Sequence, residues 1–195
     1  IFIPPNVSKI CEGAFYSCKN LQKVSIAENS NLQIIESYAF SKSKIEEIYF
    51  PNSLKELKEG WCSYTKNLKK IIISPSNDQF IFKEDKYLVG KIDNQSEEFD
   101  ILLFVNRDIK EFYIPTNIKI ISSFAFSESK IEKIFIPPNV SKICEGAFYS
   151  CENLQKVEIA PNSNLQIIEK NAFSYSKIEE IFIPPNVSKI CEYAF

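Results

Sequence analysis

Six cysteines are the residues of this chain best suited to chemistry, and their spacing decides whether they do any. Six residues separate Cys11 from Cys18, and six again separate Cys144 from Cys151. A zinc knuckle brings two thiolates onto one ion with two to four residues between them, and the chain has no histidine to complete a mixed site. Cys18 and Cys151 fall where Thr65 falls in a related stretch, and Cys191 repeats Cys11. The reading is therefore of small apolar thiols buried between layers, with a disulfide between adjacent layers as the alternative. Absence of histidine also removes the Ser-His and Cys-His nucleophile arrangements. Consecutive carboxylates occur at Glu46-Glu47, Glu97-Glu98 and Glu179-Glu180, but neighbours on a strand point to opposite faces and cannot share a proton. Arg107 is the only arginine and the net charge is -2, with lysines interleaved among glutamates, so no basic footprint for nucleic acid exists. No catalytic residue, metal site or cofactor is expected.

The elements that position these residues follow from repetition. The chain has 195 residues, of which 45% are hydrophobic and 25% charged, a globular balance with no apolar stretch of the length a spanning helix needs. IFIPPNVSKICEGAF at 1–15 returns letter for letter at 134–148, and again at 181–195 with Tyr193 in place of a glycine. Ala-Phe pairs ending at Phe15, Phe40, Phe126, Phe148, Phe173 and Phe195 recur 22 or 25 residues apart on either side of a longer gap, and Trp61-Cys62 holds the same place in LKEGWC. A fixed period in this range marks a solenoid, whose repeats bury their apolar faces on one another. The fold class expected is a mainly β repeat solenoid of about eight such repeats.

Each repeat opens with an apolar-x-x-apolar-x-apolar pattern, as in Leu21, Val24 and Ile26; Ile45, Ile48 and Phe50; Leu68, Ile71 and Ile73; Ile109, Phe112 and Ile114; Ile131, Ile134 and Ile136; Leu154, Val157 and Ile159; and Ile178, Ile181 and Ile183. The last two positions alternate as a half-buried strand requires. Proline then ends several of these strands, at Pro4, Pro51, Pro115, Pro137 and Pro184. A second short apolar piece such as SKIC or LQIIE follows, then the Ala-Phe turn, where any helix would be a single turn. One region breaks the beat: NDQFIFKEDKYLVGKIDNQSEEFDILLFVNRD reads as three short strands with turns at 84–86 and 93–98, a hairpin or meander replacing a coil. The organisation expected is one solenoid over 1–195, with first repeats in 1–76, the insertion in 77–108 and last repeats in 109–195.

AFYSCKNLQKVSI joined to IFIPPNVSKICEGAF resembles the BspA-like branch of the leucine-rich repeats, and the hairpin insertion resembles that branch too. The resemblance implies a curved, right-handed coil with one parallel sheet on its concave face, on surface or secreted proteins that bind host-cell or matrix proteins; it brings no catalytic residue. Asn6, Asn29, Asn117, Asn139, Asn162 and Asn186 partly echo the buried asparagine ladder of leucine-rich repeats. Ser53 and Ser76 interrupt the series, so a solvent-facing turn after proline is the competing reading. Asn6, Asn94, Asn139 and Asn186 also open N-x-S triplets, acceptors for N-glycosylation in a eukaryotic secretory route, which a buried ladder would preclude.

Residues between the last two buried strand positions point outward, giving the row Phe2, Ser25, Tyr49, Ile72, then Tyr113, Phe135, Glu158 and Phe182. Two residues earlier run Lys23, Glu47, Lys70, then Glu111, Lys133, Lys156 and Glu180. The aromatic row either fixes strand register or recognises a partner. Three function classes follow: a non-enzymatic interaction module binding a protein through this row (Phe2, Tyr49, Ile72, Tyr113, Phe135, Glu158, Phe182), a structural spacer, and a carbohydrate-active β-helix enzyme, against which the missing histidine and single arginine argue. Both ends fall inside repeats, so the chain reads as a segment of a longer repeat protein whose uncapped edges are expected to self-associate end to end or to be covered by flanking repeats.

Overall fold

The computed structural model describes residues 1–93 and 96–195, which form two compact units, Ile1–Gly90 and Lys91–Phe195. Its elements are strands and turns; the described residues contain no helix, and so none long and apolar enough to cross a membrane. The Ala-Phe segments, where sequence allowed one helical turn, are hydrogen-bonded turns.

In the first unit the strands β1 (Phe2–Ile3), β3 (Lys23–Ile26), β5 (Glu47–Phe50) and β7 (Lys70–Ile73) lie side by side in chain order, all parallel. A second row is formed by β2 (Lys9–Ile10), β4 (Ile34–Ile35) and β6 (Glu56–Leu57), also parallel. β8 (Phe80–Lys83) and β9 (Tyr87–Gly90) form an antiparallel hairpin. Its turn puts Glu84 and Asp85 at φ 54 and 52, and the Lys86 amide donates to Lys83 O at 2.9 Å.

The second unit repeats the plan. β11 (Glu111–Tyr113), β13 (Lys133–Ile136) and β15 (Lys156–Ile159) make one parallel row. β10 (Ile101–Val105), β12 (Ile120–Ile121), β14 (Lys142–Ile143), β16 (Ile167–Ile168) and β17 (Lys189–Ile190) make the other. The third strand of the insertion, β10, pairs in parallel with β12, Ile101 opposite Ile120, and its apolar side chains Leu102 and Phe104 are fully buried. One expectation is corrected here. Residues 178–183 form no strand, and Ile181 and Ile183 are only half-buried.

Three devices hold the coils together. Alternation buries Val24 and Ile26, Ile48 and Phe50, Ile134 and Ile136, and Val157 and Ile159, each below a tenth exposed. Proline after the strand offers only a carbonyl, which accepts from the residue three on: Val7 N to Pro4 O at 3.2 Å, Leu54 N to Pro51 O at 3.1 Å, Val140 N to Pro137 O at 3.2 Å. At the Ala-Phe turn a third ladder runs from coil to coil, with Phe15 N to Ala39 O at 2.7 Å, Phe40 N to Trp61 O at 2.8 Å, Phe126 N to Ala147 O at 2.8 Å and Phe148 N to Ala172 O at 2.7 Å. Small alanines, fully buried at 39, 125, 147 and 172, let these backbones approach.

The phenylalanines beside them stack along the unit: Phe126 on Phe148 at 4.6 Å, Phe148 on Phe173 at 4.9 Å and Phe173 on Phe195 at 5.4 Å, near-parallel throughout. Each such pair adds about 0.5–1.5 kcal/mol to the burial of its rings. In the first unit Cys62 takes the phenylalanine position, and the Trp61 indole fills the lost volume edge-on to Phe40 (6.5 Å) and Phe50 (5.5 Å). None of the six cysteines forms a disulfide. Cys62, Cys144 and Cys151 are buried as expected, whereas Cys11 is exposed and Cys18 and Cys191 are half-buried, a correction to uniform burial. Burial pushes the Cys151 thiol up, against a contact with Ser129 Oγ at 3.4 Å. Arg107 is buried too, and its guanidinium donates to Ala125 O (2.6 Å) and Phe124 O (3.2 Å) while lying 4.7 Å over the Phe104 ring.

Candidate functional site

Period-two alternation leaves every second side chain of the main strand rows pointing away from the core. In the second unit, Glu111 and Tyr113 are exposed around buried Phe112, Lys133 and Phe135 around buried Ile134, and Lys156 and Glu158 around buried Val157. Pairing register sets these into two parallel lines: Glu111, Lys133, Lys156 in one and Tyr113, Phe135, Glu158 in the other. Together with Phe112 and Ile134 they line a hollow of about 250 Å³. Tyr113 is 82% exposed and Phe135 45%.

Electrostatics on this face are uneven. Lys133 Nζ stands 4.0 Å from Glu111 Oε1. Lys156 pairs with Glu158 on its own strand, and that hydrogen bond, with the lysine charge behind it, holds the Glu158 carboxyl below its ordinary range. Lys133 and Lys156 are register partners on adjacent strands, like charge beside like charge.

The first unit presents the same face differently. Lys23, Glu47 and Lys70 alternate strictly in register, and Lys70 Nζ lies 2.9 Å from Glu47 Oε2. Tyr49 lies opposite Ile72 and is half-buried, with Ile72 38% exposed. Phe2 lies opposite Ser25 and is 61% exposed. A hollow of about 440 Å³ beside this line is walled by Glu46, Glu47, Asn67, Lys69 and Lys70, without an apolar side chain.

Of the seven residues expected to form one binding row, the structure brings Tyr113, Phe135 and Glu158 into register in the second unit and Tyr49 with Ile72 in the first. Phe2 is in register with Ser25. Phe182, 69% exposed, and Glu180 are removed from the row, since they lie on 178–183, which forms no strand. Among the described residues no group of three or more acidic or cysteine side chains is placed to hold a metal ion.

The asparagines resolve into a form between the two readings. Asn117 Nδ2 donates to Phe99 O at 2.7 Å, Asn139 Nδ2 to Thr116 O at 2.7 Å and Asn186 Nδ2 to Ser163 O at 2.8 Å, each reaching the backbone of the previous coil. Ser53 Oγ does the same toward Ser30 O and Leu32 O, as Asn77 Nδ2 does toward Pro51 O and Leu54 O. The ladder is real but lies on exposed turns: Asn6, Asn117, Asn139 and Asn186 all face solvent. Asn94 falls outside the described residues.

One cluster escaped sequence reasoning. Lys42 Nζ sits 5.4 Å from the Tyr16 ring centroid and 5.5 Å from that of Tyr64, a cation between two rings on the turn face of the first unit. Its signal was available, because the three residues occupy the Ala-Phe turns of successive coils.

Comparison with known proteins follows this geometry. The family model for the BspA type leucine-rich repeat region matches in six copies, over residues 1–88 and 78–195. No curated protein matches the chain in sequence. Among solved structures, the pneumococcal vaccine antigen PcpA is similar at 22% identity and a TM-score of 0.88, over 100% of this chain and 47% of that one. A leucine-rich cell surface protein from Faecalibacterium prausnitzii A2-165 gives 23% identity and a TM-score of 0.85, over 100% and 50%. A leucine-rich repeat protein from Eubacterium ventriosum gives 18% and 0.54, over 100% and 75%. The chain thus spans about half the length of the first two, and likeness at these identities speaks for the fold. The matched repeats run the length of the sequence, and the chain belongs to the BspA-type leucine-rich repeat family.

Proposed function

We propose that the chain is a non-enzymatic interaction module of a cell-surface or secreted protein, and that it binds a protein partner through the outward face of β11, β13 and β15. The observation that carries this reading is the exposure of Tyr113 and Phe135 side by side over a hollow ringed by Glu111, Lys133, Lys156 and Glu158. Aromatic anchors within a polar rim are the usual composition of an interface centre. Support for the surface setting comes from the names of two similar structures, a vaccine antigen and a leucine-rich cell surface protein.

The test replaces Tyr49, Tyr113 and Phe135 together by serine and measures binding of the labelled chain to cultured host cells and to immobilised matrix proteins, with circular dichroism to check folding. Loss of the exposed ring anchors is expected to weaken binding by at least tenfold, about 1.4 kcal/mol. An unchanged affinity in a folded variant would make the module a spacer.

A further inference from the structure

Residues 1–27 and 134–160 are the same sequence at all but two positions, Lys19 against Glu152 and Ser25 against Glu158. The first unit therefore offers a comparison for the proposed binding face. In the first unit, Lys23 of this segment neighbours Glu47, and the line Lys23, Glu47, Lys70 neutralises itself. In the second, Lys156 neighbours Lys133. Strands in such a row lie about 4.8 Å apart, so the two stems run alongside each other, and like charges directly opposite are destabilising. Both lysine side chains are about two-thirds exposed, 64% and 67%.

Donor capacity remains on both ammonium groups. Glu111 stands 4.0 Å from Lys133, beyond hydrogen-bond range. Lys156 gives one N–H to Glu158 and has three. The two glutamates occupy opposite corners of the face, Glu111 at the β11 end of the lysine line and Glu158 at the β15 end of the aromatic line. An acid placed at either corner would meet a like charge, which leaves the Lys133–Lys156 pair as the seat for an incoming carboxylate. Two residues along β13 from Lys133, about 6.6 Å at 3.3 Å per residue, lies Phe135, with Tyr113 beside it on β11. An extended peptide projects side chains i and i+2 to one side at that same spacing.

We propose, resting on the interaction reading above, that the partner presents an extended acidic segment of the form acid-x-apolar. Its carboxylate bridges Lys133 and Lys156, and its apolar side chain lies on Tyr113 and Phe135. An acidic polysaccharide would satisfy the lysines but offers no apolar group at the matching distance.

The experiment uses the whole chain and fluorescein-labelled peptides read by anisotropy: Ser-Gly-Asp-Thr-Phe-Gly-Ser, the same composition with Asp and Phe adjacent, and a version with Lys in place of Asp. The first is expected to bind about tenfold or more tighter than the other two and to weaken as salt rises from 50 to 500 mM. Lys133→Gln/Lys156→Gln should lose this binding, and Lys23→Gln/Lys70→Gln, the matching change in the first unit, should leave it intact. Equal binding of all three peptides, equal loss in the first-unit variant, or full competition by polygalacturonate would each overturn the proposal. Cell binding separates the two levels of inference. If Tyr113→Ser/Phe135→Ser abolishes it and Lys133→Gln/Lys156→Gln does not, the face stands and the acidic partner falls; if neither changes it, the face falls as well.

Discussion

Gly13 and Gly146 are the same letter in the two copies of IFIPPNVSKICEGAF, and the structure predicts that replacing them by alanine will have unequal consequences. Both are left-handed, at φ 62 and 58. An L-residue there costs about 1–2 kcal/mol, partly offset by about 0.4–1 kcal/mol from the lower entropy of the unfolded chain. For Gly13 this is the whole effect, since a Cβ would find only the Tyr16 Cβ, at an ordinary 3.7 Å. At Gly146 a Cβ would lie 2.5, 2.8 and 3.0 Å from three atoms of the Phe124 ring. That ring cannot simply swing aside: Phe124 is itself left-handed, at φ 60, and packs edge-on against Tyr149 with centroids 6.4 Å apart. Forcing an extra methyl into such a site costs about 1–3 kcal/mol more. Urea unfolding of the two variants, followed by far-UV circular dichroism, should therefore separate them by about 1–3 kcal/mol. Phe124→Ala introduced into Gly146→Ala should recover most of the difference, so the pair couples in a double-mutant cycle. Equal destabilisation of the two glycine variants, within about 0.5 kcal/mol, would refute the reasoning that context and not the repeated letter sets the cost.

Other consequences are open to simpler measurement. Native thiol labelling should modify Cys11 first and leave Cys62, Cys144 and Cys151 for the unfolded chain, and because none of the six cysteines forms a disulfide, reductant should not shift the melting temperature; a drop of many degrees would reveal a disulfide. Arg107→Ala, which removes the guanidinium donors from the Phe124 and Ala125 carbonyls while leaving each its backbone amide donor (Ser127 N and Val105 N), is expected to destabilise by about 1–3 kcal/mol, and Arg107→Lys nearly as much because a point ammonium cannot span both. Asp78 is held down to about 2 from 3.8, first by the Gln79 amide and then by Lys55. A depressed acid stabilises above its unfolded value and loses that contribution as pH falls through its folded one, so Asp78→Asn should flatten the acid limb of stability between about pH 4 and 2, by only a few tenths of a kcal/mol at so exposed a pair. An unaltered acid limb would contradict the assignment.

Most of the coil was legible because its determinants are local and repeated. Alternation in KVSI, EIYF, KIFI and KVEI gave the strands, and the proline after them gave the stop. What escaped was whatever depends on a neighbour. ILLFV reads as one strand of a meander, and its parallel partners Ile120 and Ile121 come only with the coil after it. The 178–183 segment has the same pattern as its siblings and the same apolar letters, yet pattern alone does not make a ladder. Left-handed residues were invisible as well. Tyr38 and Lys42, Phe124 and Glu128, and Asn171 and Tyr175 repeat the backbone of Gly13 and Ser17, two left-handed positions four apart at each Ala-Phe turn, without glycine to announce them. Coil-to-coil hydrogen bonds through Ala39, Ala147 and Ala172 impose that conformation from outside the segment.

The same dependence on neighbours decides where function can reside. Phe2 and Phe135 are one letter of one repeated sentence, and both face outward. Nothing in their own repeat distinguishes them, so any selectivity must come from positions the repeat leaves variable. Those positions are few: Tyr113 on the strand before Phe135, Glu158 where the first copy has Ser25, and Lys133, which stands in register with Lys156. The core letters of the repeat lock the backbone through three separate ladders, and they tolerate these substitutions because each outward side chain leaves the buried set unchanged. A grafting experiment follows from this. Placing Glu at Ser25 in the first unit should leave folding intact and confer no binding, since Lys23 remains opposite Glu47 and no lysine pair is formed there. Binding gained by Ser25→Glu alone would show that a single outward position, and not the assembled set of Tyr113, Phe135, Lys133 and Lys156, defines the site.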